Sequence, residues 1–401
     1  MGVSCEALNQ VAMGFLGTAF KTPETPHNLS FPELEEMKKH SFEMGPIRPT
    51  AEGGRHSLLI RATRNCPWRL CGFCYGIPYN REKFQLRDPA EISEDIDAAR
   101  AISESIRRLA KRLAGMEWVA RLLDPYTLYS MEFNELGQDE KRNYQSIVSV
   151  YNWLTSGGAT IFLQDADSLI MRTGDLLQVL RYLKQTFPSV EQVTSYARSK
   201  TLTQKTIEEL RHLSEAGLSR LYVGLESGDD EVLRRIRKGV TAQEHILAGR
   251  KAKDAGFELS EFCIIGLGGR GLSEQNAKGT AKVLNDINPD YVRIRRYVPR
   301  EGSPLFEEWK KGDFQLLSPH EELGELKALV QDLNVTGKVC FDHYINPSFG
   351  TDSGYVWLFR QDHKGYKFPE EKGGVLRRIE YGLSIDQSRY MHAEQLSEGF
   401  V

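Results

Sequence analysis

Cys66, Cys71 and Cys74 fall within nine positions of a chain that has six cysteines in all, in the run Asn65-Cys-Pro-Trp-Arg-Leu-Cys-Gly-Phe-Cys74. Thiolates at C-x4-C-x2-C spacing wrap one loop around a metal or an iron–sulfur cluster. Such sites are normally completed by a fourth ligand, so a triplet with no close fourth cysteine suggests one corner open to chemistry. Spacing alone leaves three alternatives. The loop holds a cluster with one open iron, or Cys263 or Cys340 closes it into an electron-transfer cluster or a structural zinc site, or the grouping is incidental. Cys263 lies in a strand-like run and Cys340 beside Phe341, where a buried small hydrophobe is the ordinary expectation.

Polar residues follow other apolar runs. Phe162-Leu-Gln-Asp165-Ala-Asp167 places two acids after one run, and Ser195-Tyr196-Ala-Arg198 a cation after another. Tyr222-Val-Gly-Leu-Glu226-Ser227-Gly-Asp-Asp230, with Lys238-Gly239 beyond it, sets a carboxylate among small residues. A carboxylate there accepts hydrogen bonds from an ammonium or a ribose diol, while Gly224 and Gly228 let a ligand approach the backbone. Each has a plainer alternative: Asp165, Asp167, Ser227 or Asp229 capping a helix, and Arg198 in a structural ion pair. Ile264-Ile-Gly266-Leu-Gly268-Gly269 is glycine-rich but matches neither a phosphate-binding loop nor a dinucleotide fingerprint. Arg293, Arg295 and Arg296 alternate along a strand, either to bind an anionic substrate or to pair with acids on outer helices. His343 is either a proton donor near substrate or a hydrogen-bonded structural histidine.

The elements that must position these groups are legible as a beat. Short β-type runs recur at 57–63, 159–163, 192–196, 220–224, 259–265 and 291–297. Helical patterns lie between most of them, at 173–186, 203–216, 230–238, 242–255 and 273–286, with Gly217 and Gly256 where helices stop. That alternation predicts right-handed βαβ units and a parallel sheet of α/β class, six strands forming a partial barrel. The cysteine loop then sits just past the first strand. Residues 87–156 interrupt the rhythm with a charged helical insertion (92–113, 138–154) that would cap the site. Residues 1–54 hold five of the sixteen prolines and are expected as an irregular wrapping extension; 55–305 form the core, and after Pro304 the pattern fades into a C-terminal helical region, 306–401.

With 401 residues, a net charge of −3 and 40% hydrophobic residues, the chain is neither a disordered polymer nor an overall polycation, though a local basic groove stays open. No run approaches the ~18 apolar residues that span a bilayer, and the N-terminus lacks a secretory pattern, so a cytoplasmic location is expected.

Cys71-Gly72-Phe73-Cys74 ends in the C-x-aromatic-C form, and with the 222–230 signature and the strand order it resembles the radical S-adenosylmethionine superfamily over residues 55–305. The branch is the one that includes methylthiotransferases, NifB and oxygen-independent coproporphyrinogen oxidases. The first cysteine gap is one residue longer than the commonest form, and Leu-Gln-Asp165 replaces the usual Gly-Gly-Glu. The resemblance implies a partial TIM barrel, (β/α)6. It implies a [4Fe-4S] cluster on Cys66, Cys71 and Cys74 whose fourth iron binds S-adenosyl-L-methionine, and reductive cleavage to a 5'-deoxyadenosyl radical that abstracts hydrogen from an unidentified substrate. Implied cofactor contacts are Asp165 (Asp167 the weaker choice) for the ammonium, Glu226 and Ser227 for polar groups, Arg198 for a carboxylate and Gly266 against the adenine, with Phe73 and Tyr75 packing around the cluster. An external electron donor such as flavodoxin or ferredoxin is implied, and nucleic acid as a partner is left open.

Overall fold

The structure, a computed structural model, describes residues 31–48, 56–74, 83–343 and 345–398. Its centre is an eight-stranded sheet: β1 (Leu58–Arg61), β2 (Thr160–Gln164), β3 (Gln192–Ala197), β4 (Leu218–Glu226), β5 (Glu258–Ile265), β6 (Tyr291–Arg296), β7 (Lys338–Cys340) and β8 (Tyr366–Lys367), side by side in that order. All neighbours from β1 to β7 are parallel and β8 is antiparallel. The sheet does not close on itself, so the architecture is a partial α/β barrel.

All six expected strands are present. A seventh parallel strand, β7, was not expected, because three residues are too few to show a period of two. It follows a helix at Pro319–Asp332, so one more helix–strand unit extends the barrel into the region where the pattern fades.

Residues 87–156 are a crossover rather than a cap. Helix α1 (Pro89–Leu113) starts on the Asp88 side chain, which accepts from Ala90 N–H, and ends on Ala114 in the left-handed conformation. Its buried stripe, Ile92, Ile96, Ala99, Ile102, Ile106 and Leu109, joins Ile147, Val150 and Trp153 of α2 (Gln138–Thr155) in one core with Leu58, Ile60 and Ile161 of the sheet. Each large aliphatic side chain so buried contributes about 1.5–3 kcal/mol before chain entropy is subtracted. The apolar faces therefore cover the outside of β1 and β2.

Helix α3 (Thr173–Thr186) matches its expected span, whereas the helix expected at 203–216 is two: α4 (Ser199–Gln204) and α5 (Ile207–Glu215). Thr206 and Glu209 form a capping box, and Lys205 is extended (ψ 149°). Two satisfied N–H groups favour a fresh helix start over continuation. Next come α6 (Asp230–Arg235), α7 (Ala242–Asp254), α8 (Ser273–Ile287), α9 (Pro304–Lys311) and α10 (Pro319–Asp332).

Inside the barrel, Leu59, Phe162, Tyr222 and Phe262 form a second cluster with Met44 and Tyr196 against it. Phe162 meets Tyr196 edge-on at 5.2 Å, and Tyr196 lies 5.6 Å from Tyr222 and 6.2 Å from Phe262. The described part of the N-terminal extension is tied to the strand ends: Gly45 N–H donates to Gln164 Oε1 (2.9 Å) and Tyr196 Oη to the Arg48 carbonyl (3.2 Å).

Candidate functional site

The cysteine loop is closed at its base by antiparallel pairing of Thr63–Arg64 with Gln85–Leu86. It begins at Asn65, in the left-handed conformation (φ 66°), whose Oδ1 accepts from Cys66 N–H (2.6 Å). Asn65 N–H donates to Asp165 Oδ2 (3.2 Å), and Arg61 donates to the same oxygen from Nε (3.2 Å) and Nη2 (2.7 Å). Asp165 is fully buried. Its carboxylate is therefore engaged by a strand arginine and the loop's first amide, and an incoming ammonium would have to compete with Arg61. Asp167, also buried, accepts from Arg198 N–H (3.3 Å) and Thr201 Oγ1 (2.5 Å), so it holds the start of α4. Burial pushes the Asp167 carboxyl up to about 6 against these hydrogen bonds.

From its other side the loop leans on the segment after α6. Gly72 N–H donates to the Ile236 carbonyl (2.7 Å), Trp68 Nε1 to the Arg237 carbonyl (2.6 Å), and Leu305 N–H to the Gly72 carbonyl (2.8 Å). Trp68 takes the Arg198 guanidinium over its ring at 5.2 Å, and Phe73 takes the Lys238 ammonium at 5.9 Å. At Gly239 (φ 79°) a Cβ would lie 2.5 Å from the Trp68 ring, so both the conformation and the loop contact require glycine.

Glu226 ends β4 in the left-handed conformation (φ 64°), with Oε1 3.0 Å from Lys238 Nζ. Burial alone would lower the Lys238 pKa, but Glu226 and then Cys71 outweigh it and hold the ammonium above its ordinary value. Gly224 makes room for the pair: a Cβ there would collide with Glu226 Oε1 and lie 2.9 Å from Lys238 Nζ. Gly228 serves helix packing, since its missing Cβ is replaced by the Gly279 carbonyl of α8. Both glycines thus admit protein atoms, where ligand approach was expected. Ser227 is buried and its Oγ accepts from Asp229 N–H (3.1 Å), while Asp229 caps α6.

Burial raises the pKa of Cys71, and pushes the Cys74 thiol up to about 12, with Cys71 and Cys66 adding to the rise. Lys238 pulls against both shifts. The three thiols are therefore electrostatic neighbours beside Lys238 and Glu226. Among the described residues, no three His, Cys, Asp or Glu side chains stand close enough together to hold one metal ion, the three loop thiols included. Soft thiols on one loop suit an iron–sulfur cluster in donor chemistry, and ligation deprotonates a thiol that burial otherwise keeps protonated. Cys263 is buried in β5 and Cys340 in β7, where its Sγ faces the His363 carbonyl.

Gly266 (φ 81°) follows β5, its N–H held by Glu325 Oε1 (2.9 Å) from α10. Burial pushes Glu325 up to about 7. Sequence patterns missed Glu325, Arg61 and Trp68, since each acts through a partner remote in the chain. His343 is partly buried and accepts from Ile345 N–H at Nδ1 (3.4 Å), a local turn contact. Tyr75 lies outside the described residues.

Residues 139–284 match the model of the Radical SAM superfamily. Over that span the chain carries a radical SAM domain, of a superfamily of enzymes whose members use a [4Fe-4S] cluster and S-adenosylmethionine. The matched span runs from α2 to α8 and leaves the cysteine loop upstream. Among curated relatives, a tRNA-2-methylthio-N(6)-dimethylallyladenosine synthase of Neisseria meningitidis is 30% identical over 300 residues, 74% of this chain and 52% of the relative. A tRNA uridine(34) acetyltransferase of Methanocaldococcus infernus is 28% identical over 110 residues, 27% of this chain and 20% of the relative. The chain thus spans between a fifth and about half of the length of these relatives. Among solved structures, the radical S-adenosylmethionine methyltransferase TsrM of Kitasatospora setae aligns with TM-score 0.41 and 11% identity over 88% of this chain and 54% of that one. No helix among the described residues is long and apolar enough to cross a membrane.

Proposed function

We propose that this chain is a radical S-adenosylmethionine enzyme acting on a substrate held in the barrel, with Cys66, Cys71 and Cys74 as cluster ligands. The observation that carries the proposal is the docking of the cysteine loop onto the 236–239 segment, which brings three thiols beside the Glu226–Lys238 pair at the strand ends. When bound, the cluster and S-adenosylmethionine supply a reductively generated 5'-deoxyadenosyl radical that abstracts hydrogen from substrate.

The residues of the chain do the positioning. Asp165 and Arg61 hold the loop's first amide, Trp68 and Gly239 fix its flank, and Phe73 packs under Lys238. Glu226 is oriented to accept from the cofactor's amino or hydroxyl groups, with Ser227 behind it. Arg198, held over Trp68, offers its fork to the cofactor's carboxylate, and the turn at Gly266 borders the adenine. Two relatives, a methylthio-dimethylallyladenosine synthase and a uridine(34) acetyltransferase, are tRNA enzymes, which makes tRNA a first substrate to assay.

Anaerobically reconstituted protein incubated with S-adenosylmethionine and dithionite should form 5'-deoxyadenosine, and the Cys71→Ala variant should form none. A fully iron-loaded protein that releases no 5'-deoxyadenosine under these conditions would sink the proposal.

A further inference from the structure

Strand β6 puts three arginines to three different uses. Arg296 points outward with Val292 and Ile294, and its Nη2 lies 2.7 Å from Glu322 Oε2 on α10. Arg293 points inward, pairs with Asp342 and donates from Nε to Ser260 Oγ (3.1 Å). Arg295 also points inward, opposite Ile264 of β5, its guanidinium 4.8 Å from the Phe262 ring centroid. Among the described residues Arg295 meets no carboxylate and donates no hydrogen bond.

The charges within its reach do not balance. Burial, then Tyr196, Asp342, Arg293 and Glu226, act on Arg295, and the carboxylates among them are Asp342 and Glu226. Arg293 takes the first and Lys238 the second, so among the described residues neither of these carboxylates is left for Arg295. Burial lowers its pKa, the mark of a charge that lacks compensation. A guanidinium held over an aromatic ring can still offer its N–H donors to bidentate contact with an oxyanion. The surrounding wall is aromatic, from Tyr196, Tyr222 and Phe262.

We propose that Arg295 binds an oxyanion, a carboxylate or phosphate, of the substrate inside the barrel; this rests on the radical S-adenosylmethionine reading for what happens to that substrate. The cofactor's own carboxylate has the same chemistry but a different expected partner. Arg198 lies over Trp68 of the cysteine loop, whereas Arg295 lies over Phe262 on the inner face of β5.

The test uses reconstituted protein under anaerobic conditions without dithionite, with thermal unfolding followed during titration by inorganic phosphate and by succinate. At least one probe should stabilise the wild type, with an apparent affinity at least about tenfold weaker in Arg295→Gln and intermediate in Arg295→Lys. S-adenosylmethionine affinity should stay within about twofold in both. Without ligand, Arg295→Met should unfold at a higher temperature than wild type, since it removes an uncompensated charge; a structural arginine would give the opposite. The proposal is overturned if neither probe stabilises the wild type, if Arg295→Gln responds as wild type does, or if that variant loses S-adenosylmethionine affinity while keeping the probe response, which would assign the oxyanion to the cofactor. Probe binding that depends on Arg295 in a protein that forms no 5'-deoxyadenosine would support the oxyanion site and remove the radical chemistry.

Discussion

Lys238 Nζ lies 3.0 Å from Glu226 Oε1, each side chain only 12–13% exposed, with Cys71 in electrostatic reach of both. The pair joins the end of β4 to the segment that supports the cysteine loop. Removing one partner strands the other charge in a poorly solvated place. Glu226→Gln should therefore destabilise the protein by about 3 kcal/mol, and adding Lys238→Met should recover most of that loss. Urea unfolding of the two single variants and the double variant measures the coupling; additive losses would show that the pair does not act as a unit.

Cys263 and Cys340 are buried in strands away from the loop. Replacing both by alanine should leave the iron content and visible charge-transfer absorption of reconstituted protein unchanged, at a stability cost of about 1 kcal/mol each for small cavities. Loss of iron in that double variant would mean that a distant thiol completes the cluster, and the open-site chemistry would fail with it.

Asp167 gives a pH signature. Its folded pKa of about 6 lies above the ordinary carboxylate value, so the folded state prefers the protonated acid. The associated stabilisation is complete below about pH 4 and is lost as pH rises through 6. Asp167→Asn still accepts from Arg198 N–H at its oxygen, while its amide nitrogen donates to Thr201 Oγ1 in a reversed bond, and it should remove this dependence. At pH 8 it should be about 1–3 kcal/mol more stable than wild type. Chemical denaturation at pH 5 and pH 8 provides the comparison, and an unchanged pH slope in the variant would refute the assignment.

Gly239→Ala puts a methyl group against Trp68 at a positive φ. A cost of about 1–3 kcal/mol is expected, together with reduced iron retention, because the indole must leave the 236–239 segment that supports the loop. Iron per chain after gel filtration reads the effect; full retention would show that the Trp68 contact does not position the cysteines.

Periodicity and spacing carried much of this protein. Six strands and most helices were legible because a parallel barrel repeats one local rule, an apolar run and then an amphipathic helix, and each copy is written in contiguous residues. The cysteine triplet was legible for the same reason, since its three thiols share one loop. Tertiary structure alone decided the rest. Asp165 and Asp167 are both buried acids two positions apart, yet one turns to Arg61 and the amide of Asn65 and the other to α4, because a cation from β1 and a hydroxyl from α4 arrive from opposite sides. Gly224 and Gly228 yield their space to Lys238 and α8, elements with no local trace at the glycines. The three arginines of β6 have one side-chain type in one short run. What separates them is which carboxylate another part of the chain brings into a pair, and among the described residues Arg295 is the one that pairs with none.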